Sequence, residues 1–279
     1  MTDKQQEVLR KRAKELLESG EIAYLIGWEP TRRENVMRTA FIDKAENADR
    51  LVLNKNCVTS TAPYLLDDRW PKGKIGICVR GCDSRAVNRM LKDKQIKREN
   101  LYLIGLPCEG VDNPVCEQCS HRNPLVYDEL IGEAVPEQNV AGRFTSVEEI
   151  EKWPIEKRRE YWNAQYDKCI RCYACRNVCP ACNCRECFAD QYRTGWQGKQ
   201  IDRTQNMIYG LTRGYHVGDR CIECGECERV CPMGLTIRRL PSKMLMDIND
   251  LYGKYECALS DDQAAALGEY DLSDADEFM

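Results

Sequence analysis

The sequence predicts an α+β protein: a small parallel α/β domain at the N-terminal side, then a cysteine-rich domain interrupted by a helical insert. Three observations predict it. Short apolar runs alternate with helical patterns as far as Leu106, the arrangement of a parallel sheet with right-handed crossovers. Two near-identical cysteine runs follow, at Cys169–Cys179 and Cys221–Cys231. The long gap between them carries one helix pattern. A chain of 279 residues is long enough for two domains. The expected boundaries are 1–145 for the α/β domain, 146–257 for the cysteine-rich domain with its insert, and 258–279 for an acidic tail.

The elements follow in order. Residues 5–19 form an amphipathic helix, with Val8, Leu9, Leu16 and Leu17 on one face and Ser19-Gly20 as its stop. Ile22–Ile26 is a short strand. Leu51–Leu53 is a strand followed by a helical turn at Thr61–Leu66. Ile75–Val79 is the next strand, leading into a helix at Ser84–Lys92 capped by Asp83. Leu101–Leu106 is the third strand of this series. Ser146 and Glu149 make a capping box for a helix over 146–152. Pro154 opens the connecting helix Ile155–Tyr166, the insert helix spans Ile201–Tyr215, and Leu235–Leu251 is a helix interrupted at Pro241. Ser260–Met279 holds seven acids and no bases, a tail expected to be disordered alone or laid on a partner.

Both cysteine runs read C-x2-C-x2-C-x3-C-P: Cys169, Cys172, Cys175, Cys179-Pro180 and Cys221, Cys224, Cys227, Cys231-Pro232. This is the spacing of a two-cluster bacterial ferredoxin, in which the fourth cysteine of each run ligates the other cluster. The expected sets are therefore Cys169, Cys172, Cys175 and Cys231 for one [4Fe–4S] cluster, and Cys221, Cys224, Cys227 and Cys179 for the other. Zinc sites instead pair C-x2-C units across a longer loop. Met1 leads into Lys4, Glu7, Arg10 and Lys11 without an apolar segment, so no export leader is expected and the chain reads as cytoplasmic, where thiols stay reduced.

Eight further cysteines attract attention. Cys57, Cys82 and Cys108 each follow one of the three strands Leu51–Leu53, Ile75–Val79 and Leu101–Leu106, at the sheet edge where open α/β folds bind ligands. Cys116 and Cys119 follow in the next loop. Cys182, Cys184 and Cys187 sit just behind the first ferredoxin run. These eight would serve one or two more clusters of unassigned grouping, three to four cubanes in total. Cys78 and Cys257 read as buried core residues. His121, beside Cys119, is either a ligand or a polar loop residue, and His216 reads as structural.

Composition narrows the function. The formal charge is −4, and each all-thiolate [4Fe–4S]2+ cluster adds about −2, which argues against nucleic-acid binding. No apolar stretch is long enough to span a bilayer. With two histidines the chain is poorly supplied for general-base chemistry. No dinucleotide or phosphate-loop motif occurs, and no flavin site is evident.

The combination of Arg80-Gly81-Cys82-Asp83-Ser84-Arg85, Gly105-Leu106-Pro107-Cys108-Glu109-Gly110 and Cys169–Cys187 resembles the iron–sulfur electron-transfer (beta) subunits of cytoplasmic formate dehydrogenases and hydrogenases from anaerobes, which occur alongside heterodisulfide-reductase-like proteins. It is more distantly similar to the sulfhydrogenase beta subunit and the ferredoxin-type subunit of anaerobic sulfite reductase. The resemblance spans most of 20–235 and leaves out the acidic tail. It implies a non-catalytic subunit of a hetero-oligomer, carrying electrons between a catalytic subunit and a flavin-containing or heterodisulfide-reductase-like partner. The alternatives are a thiol, disulfide or sulfur-compound reductase acting at the N-terminal edge cluster, and an iron–sulfur sensor.

Overall fold

The computed structural model describes residues 3–67, 70, 72–191 and 193–268. Helix α1, Asp3–Glu18, buries Leu9, Ala13 and Leu16, the spacing of one helical face. Strand β1, Tyr24–Pro30, carries a continuous buried stretch and starts two residues later than the apolar run that predicted it. Strand β2, Met37–Ile42, returns antiparallel, pairing Ile42 with Leu25 and Met37 with Pro30. The sequence reading missed β2, whose Met-Arg-Thr-Ala-Phe-Ile mixes polar and apolar residues as an edge strand does.

Strands β3, Ile75–Val79, and β4, Leu101–Gly105, flank helix α2, Gly81–Lys92. Strand β5, Glu129–Leu130, adds the far edge. The sheet order is β2-β1-β3-β4-β5, parallel except between β1 and β2. Leu51–Leu53 is not a strand. β3 pairs with β1 only over Tyr24–Ile26, and beyond it this segment makes a single ladder-like bond, Val52 N–H to the Trp28 carbonyl at 2.9 Å. The helical turn at Ala62–Leu66 forms as expected.

Helix α2 begins earlier than the sequence indicated. Arg80 is its N-cap, and Asp83 lies one turn inside, where its carboxylate accepts the Arg80 N–H at 3.2 Å.

Behind the sheet, α3 spans Thr145–Glu151. Its N-cap is Phe144 with no side-chain cap, so the box expected from Ser146 and Glu149 does not form. Helix α4, Ile155–Lys168, follows Pro154 as expected. Single-turn helices α5, Ala174–Asn177, and α7, Glu226–Arg229, sit within the two cysteine runs and pack together. Helix α6, Arg203–Val217, is capped by Asp202, which accepts the Gln205 N–H at 2.9 Å. Helix α8 is Arg239–Tyr252. Pro241 lies in its first turn, where a missing N–H leaves no helical bond unmade, and so does not interrupt it. Helix α6 packs between α4 and α8.

The two parts share a core. Ile222, Cys257 and Ala258 bury against the β3–α2 layer, and Arg85 donates to the Cys257 carbonyl at 2.7 and 3.0 Å. The described start of the tail is laid on this chain itself: Lys92 Nζ donates to the Asp262 carbonyl at 2.8 Å, and the Leu267 N–H to Asp219 at 2.9 Å. The acids from 269 to 279 lie outside the described residues. Among the described residues no helix is long and apolar enough to cross a membrane.

Candidate metal centres

The two ferredoxin-type runs fold alike. Arg171 and Tyr173 in the first, and Glu223 and Gly225 in the second, all have positive φ, between 49° and 72°. The double left-handed turn aims backbone N–H groups at sulfur: Arg171 N–H lies 3.4 Å from Cys169 Sγ, and Glu223 N–H 3.4 Å from Cys221 Sγ. Such bonds favour the ionised thiolate.

The sulfurs mix across the runs. Cys169 has Cys175, Cys231 and Cys172 as electrostatic neighbours, whereas Cys221 and Cys224 both have Cys179 and Cys227. Each cysteine that precedes proline thus stands among the thiols of the other run. Burial pushes the thiols of Cys169, Cys221 and Cys224 up, and that of Cys227 to about 12. Burial also pushes Arg213 down, but Cys179, Cys182, Cys227 and Cys175 outweigh it and hold this buried guanidinium charged.

At the sheet edge, Cys82, Cys108, Cys116 and Cys119 line one cavity. Cys82 lies in the first turn of α2, at the positive end of its dipole. Cys108 follows β4, and the Gly110 N–H points at its sulfur from 3.4 Å, the same bond that Cys169 and Cys221 receive. Burial drives Cys82 well up, with Cys108 and Cys119 adding to the shift. Cys224 of the second ferredoxin run lines the same cavity.

Cys57 does not line this cavity, although Cys108 is among its electrostatic neighbours. It is fully buried in the core behind β1, its sulfur 3.6 Å from the Val52 carbonyl. The reason is the missing strand: Leu51–Leu53 does not end at the sheet edge, so the residue after it does not either. Cys78 and Cys257 are core residues, as expected.

A buried frame holds the edge site. Arg80 is 3% exposed and Asp83 fully buried, with Nε and Oδ2 at 2.8 Å. Asp83 also accepts the Ser60 hydroxyl at 2.6 Å. Arg80 donates to the Cys57 carbonyl at 2.6 Å and the Thr59 carbonyl at 3.1 Å, and lies 4.9 Å over the Trp28 ring. Ser60 N–H in turn meets Glu226 in α7 at 3.1 Å. His121 turns its Nε2 to Glu256, 2.6 Å away, rather than to the thiols. Burial raises the Glu256 carboxyl, but His121 and Arg85 outweigh it and bring it to about 2.

Cys182, Cys184 and Cys187 line a separate cavity, with Arg213 and His216 in its wall. The Cys182 and Cys179 thiols are hydrogen-bonded, which lowers Cys179 and raises Cys182. His216 is exposed on this rim and packs edge-on against Phe188 at 5.6 Å.

Among the described residues no three metal-ligating side chains close on a point as one ion requires. Four sulfurs about 2.3 Å from one centre would suit zinc. A cubane carries an iron at each corner, so its thiolates stand further apart than the ligands of one ion.

Residues 165–235 match the family model described as a 4Fe-4S dicluster domain. The chain is 35% identical to the F420-dependent formate dehydrogenase subunit beta of Methanocaldococcus jannaschii, over 69% of this chain and 74% of that protein. It is 24% identical to the F420-dependent formate dehydrogenase 1 subunit beta of Methanococcus maripaludis, over 56% of this chain and 67% of that one.

Proposed function

The chain belongs to the family of formate dehydrogenase beta subunits and is an iron–sulfur electron-transfer subunit with more than one [4Fe–4S] cluster, and from this we propose that it relays single electrons between a catalytic subunit of formate dehydrogenase or hydrogenase type and a flavin-containing or heterodisulfide-reductase-like partner. We assign Cys169, Cys172, Cys175 and Cys231 to one cluster and Cys221, Cys224, Cys227 and Cys179 to a second. The third takes Cys82, Cys108, Cys116 and Cys119. The division of labour follows the boundaries 1–145 for the edge site and 146–257 for the dicluster module.

One observation carries this reading: four edge thiols share a cavity with Cys224 of the ferredoxin module. A third cluster there stands next to the second, and Cys175 and Cys227 are in turn electrostatic neighbours. When bound, [4Fe–4S] clusters accept and release one electron each. The protein's part is to fix their spacing, keep water from the thiolates and offset their charge. Arg80 does this at the edge site, where its electrostatic partners include Cys82 and Cys108. Arg213 does it between the two ferredoxin sets.

Two-electron donors such as formate, hydrogen or a nicotinamide need a metal active site or a flavin to split the pair. The anaerobically purified chain alone is therefore expected to bleach with dithionite and to stay oxidised with NADH, NADPH, formate or hydrogen. Absorbance at the iron–sulfur bands reads the result. Direct reduction by any of those four in a flavin-free preparation would overturn the relay and favour an enzyme acting at the edge site.

The crossed ligation has its own test. Cys179→Ala is expected to destroy the cluster held by Cys221, Cys224 and Cys227 and to spare that of its own run. Paramagnetic resonance of the reduced variant distinguishes the two, and loss confined to the Cys169 cluster would sink the assignment.

A further inference from the structure

Three thiols and an imidazole remain that the relay above does not use. Cys182, Cys184, Cys187 and His216 line one cavity of about 220 Å³. Three cysteines within six residues supply three corners of a cubane. A fourth thiol is not at hand. Cys179 touches Cys182 but stands among Cys221, Cys224 and Cys227. Cys57, Cys78 and Cys257 are buried in the cores and do not line this cavity. The remaining donors of the cavity are mostly committed: Asp190 is paired with Arg176 at 2.6 Å, and the Tyr209 hydroxyl is directed to Cys175.

His216 is different. Among the described residues neither of its ring nitrogens has a hydrogen-bond or ion-pair partner. Its position is nevertheless fixed, by α6 on one side and by the edge contact with Phe188 on the other. Phe188 directly follows Cys187, so this contact holds the ring against the residue next to the third thiol, on the same cavity wall.

We propose that Cys182, Cys184, Cys187 and His216 hold a further [4Fe–4S] cluster with one imidazole ligand. The proposal rests on the iron–sulfur relay above and adds a fourth station to it.

The charges agree. With three thiolates and a neutral imidazole, the 2+ core carries about −1 rather than the −2 of an all-thiolate site. Four arginines wall this cavity, at 176, 185, 213 and 220. Arg176 is hydrogen-bonded to Cys187 and Arg213 to Cys182. Replacing thiolate by imidazole and hydrogen-bonding the sulfurs both raise a cluster's potential. The fourth station is therefore the most readily reduced of the chain. Cys182 links it to Cys179 of the second cluster, while Cys184 is exposed, which puts the station where an acceptor protein reaches it.

The test uses the full chain purified anaerobically, with iron analysis and pulsed paramagnetic resonance for nitrogen coupling. The wild type is expected to hold about 16 irons, four cubanes of four, and to show a strongly coupled imidazole nitrogen after mild reduction. The double variant Cys184→Ala/Cys187→Ala should hold about 12 irons, with the other clusters intact, and lose the nitrogen signal. His216→Cys should retain iron, lose the nitrogen coupling and shift the most positive midpoint potential downward. About 12 irons in both wild type and double variant would overturn the fourth cluster and leave the three-cluster relay standing. Full iron with no nitrogen coupling in the wild type, or coupling that survives in His216→Cys, would overturn the histidine ligand. A wild type with only about 8 irons, unchanged by Cys82→Ala, would overturn the edge cluster of the relay as well.

Discussion

The Asp83→Ala protein is expected to lose roughly 3–5 kcal/mol of stability, the range for removing one partner of a buried ion pair. The size follows from what is left behind. Arg80 stays buried at 3% exposure, still bonded to the Cys57 and Thr59 carbonyls, without the carboxylate that pairs with it directly. The Ser60 hydroxyl also loses its acceptor. Anaerobic denaturant titration followed by circular dichroism measures the loss. The double variant Arg80→Met/Asp83→Leu should recover part of it, because an apolar pair of similar volume removes the stranded charge. Recovery is incomplete because two carbonyls lose their donor. A single variant within about 0.5 kcal/mol of wild type, as for a surface site, would show that the pair does not carry the frame.

The second large effect belongs to Gly81. A methyl group there would stand 2.0 Å from the His121 carbonyl oxygen and 2.8 Å from its carbon, both backbone atoms. The 121–123 segment cannot yield by a rotamer change. It must move, and it carries Cys119 at one end and the His121–Glu256 pair on its face. Gly81→Ala is expected to open the edge site, lowering iron by about four atoms per chain without loss of the ferredoxin-type signals. Iron analysis with paramagnetic resonance checks it. Full iron in a folded Gly81→Ala protein would mean that the four edge thiols do not share a cluster.

Much of this arrangement is legible in the residues. The ferredoxin-type runs announce themselves by spacing, because a cubane demands thiols at fixed intervals and the chain has few ways to supply them. β3, α2 and β4 are equally readable, being apolar throughout or regularly amphipathic. Edge elements are not. β2 escaped detection because half its residues face solvent, and Leu51–Leu53 looked like a strand because burial against a sheet and membership of it ask for the same residues. Cys57, which follows that segment, accordingly lies in the core and not in the cavity lined by the other four. Asp83 appeared as an ordinary helix cap, and only the fold reveals a fully buried residue paired with Arg80 and Ser60. The contact of His216 with Phe188 has no local signal, since it depends on how α6 returns across the insert.

The two cysteine runs are copies in backbone and unequal in surroundings. At corresponding left-handed positions the first has Tyr173 and the second Gly225. Tyr173 is free to place its ring against Tyr209, 5.1 Å away. A β-carbon on Gly225 would meet a methyl of Val115 at 2.4 Å. Gly225 thus lets the α/β layer approach this turn, and the first turn, without that neighbour, carries an aromatic side chain. The duplication has acquired a front and a back. One turn meets the α/β layer and the other meets α6, so the two sets of thiols have different neighbours before any partner protein arrives.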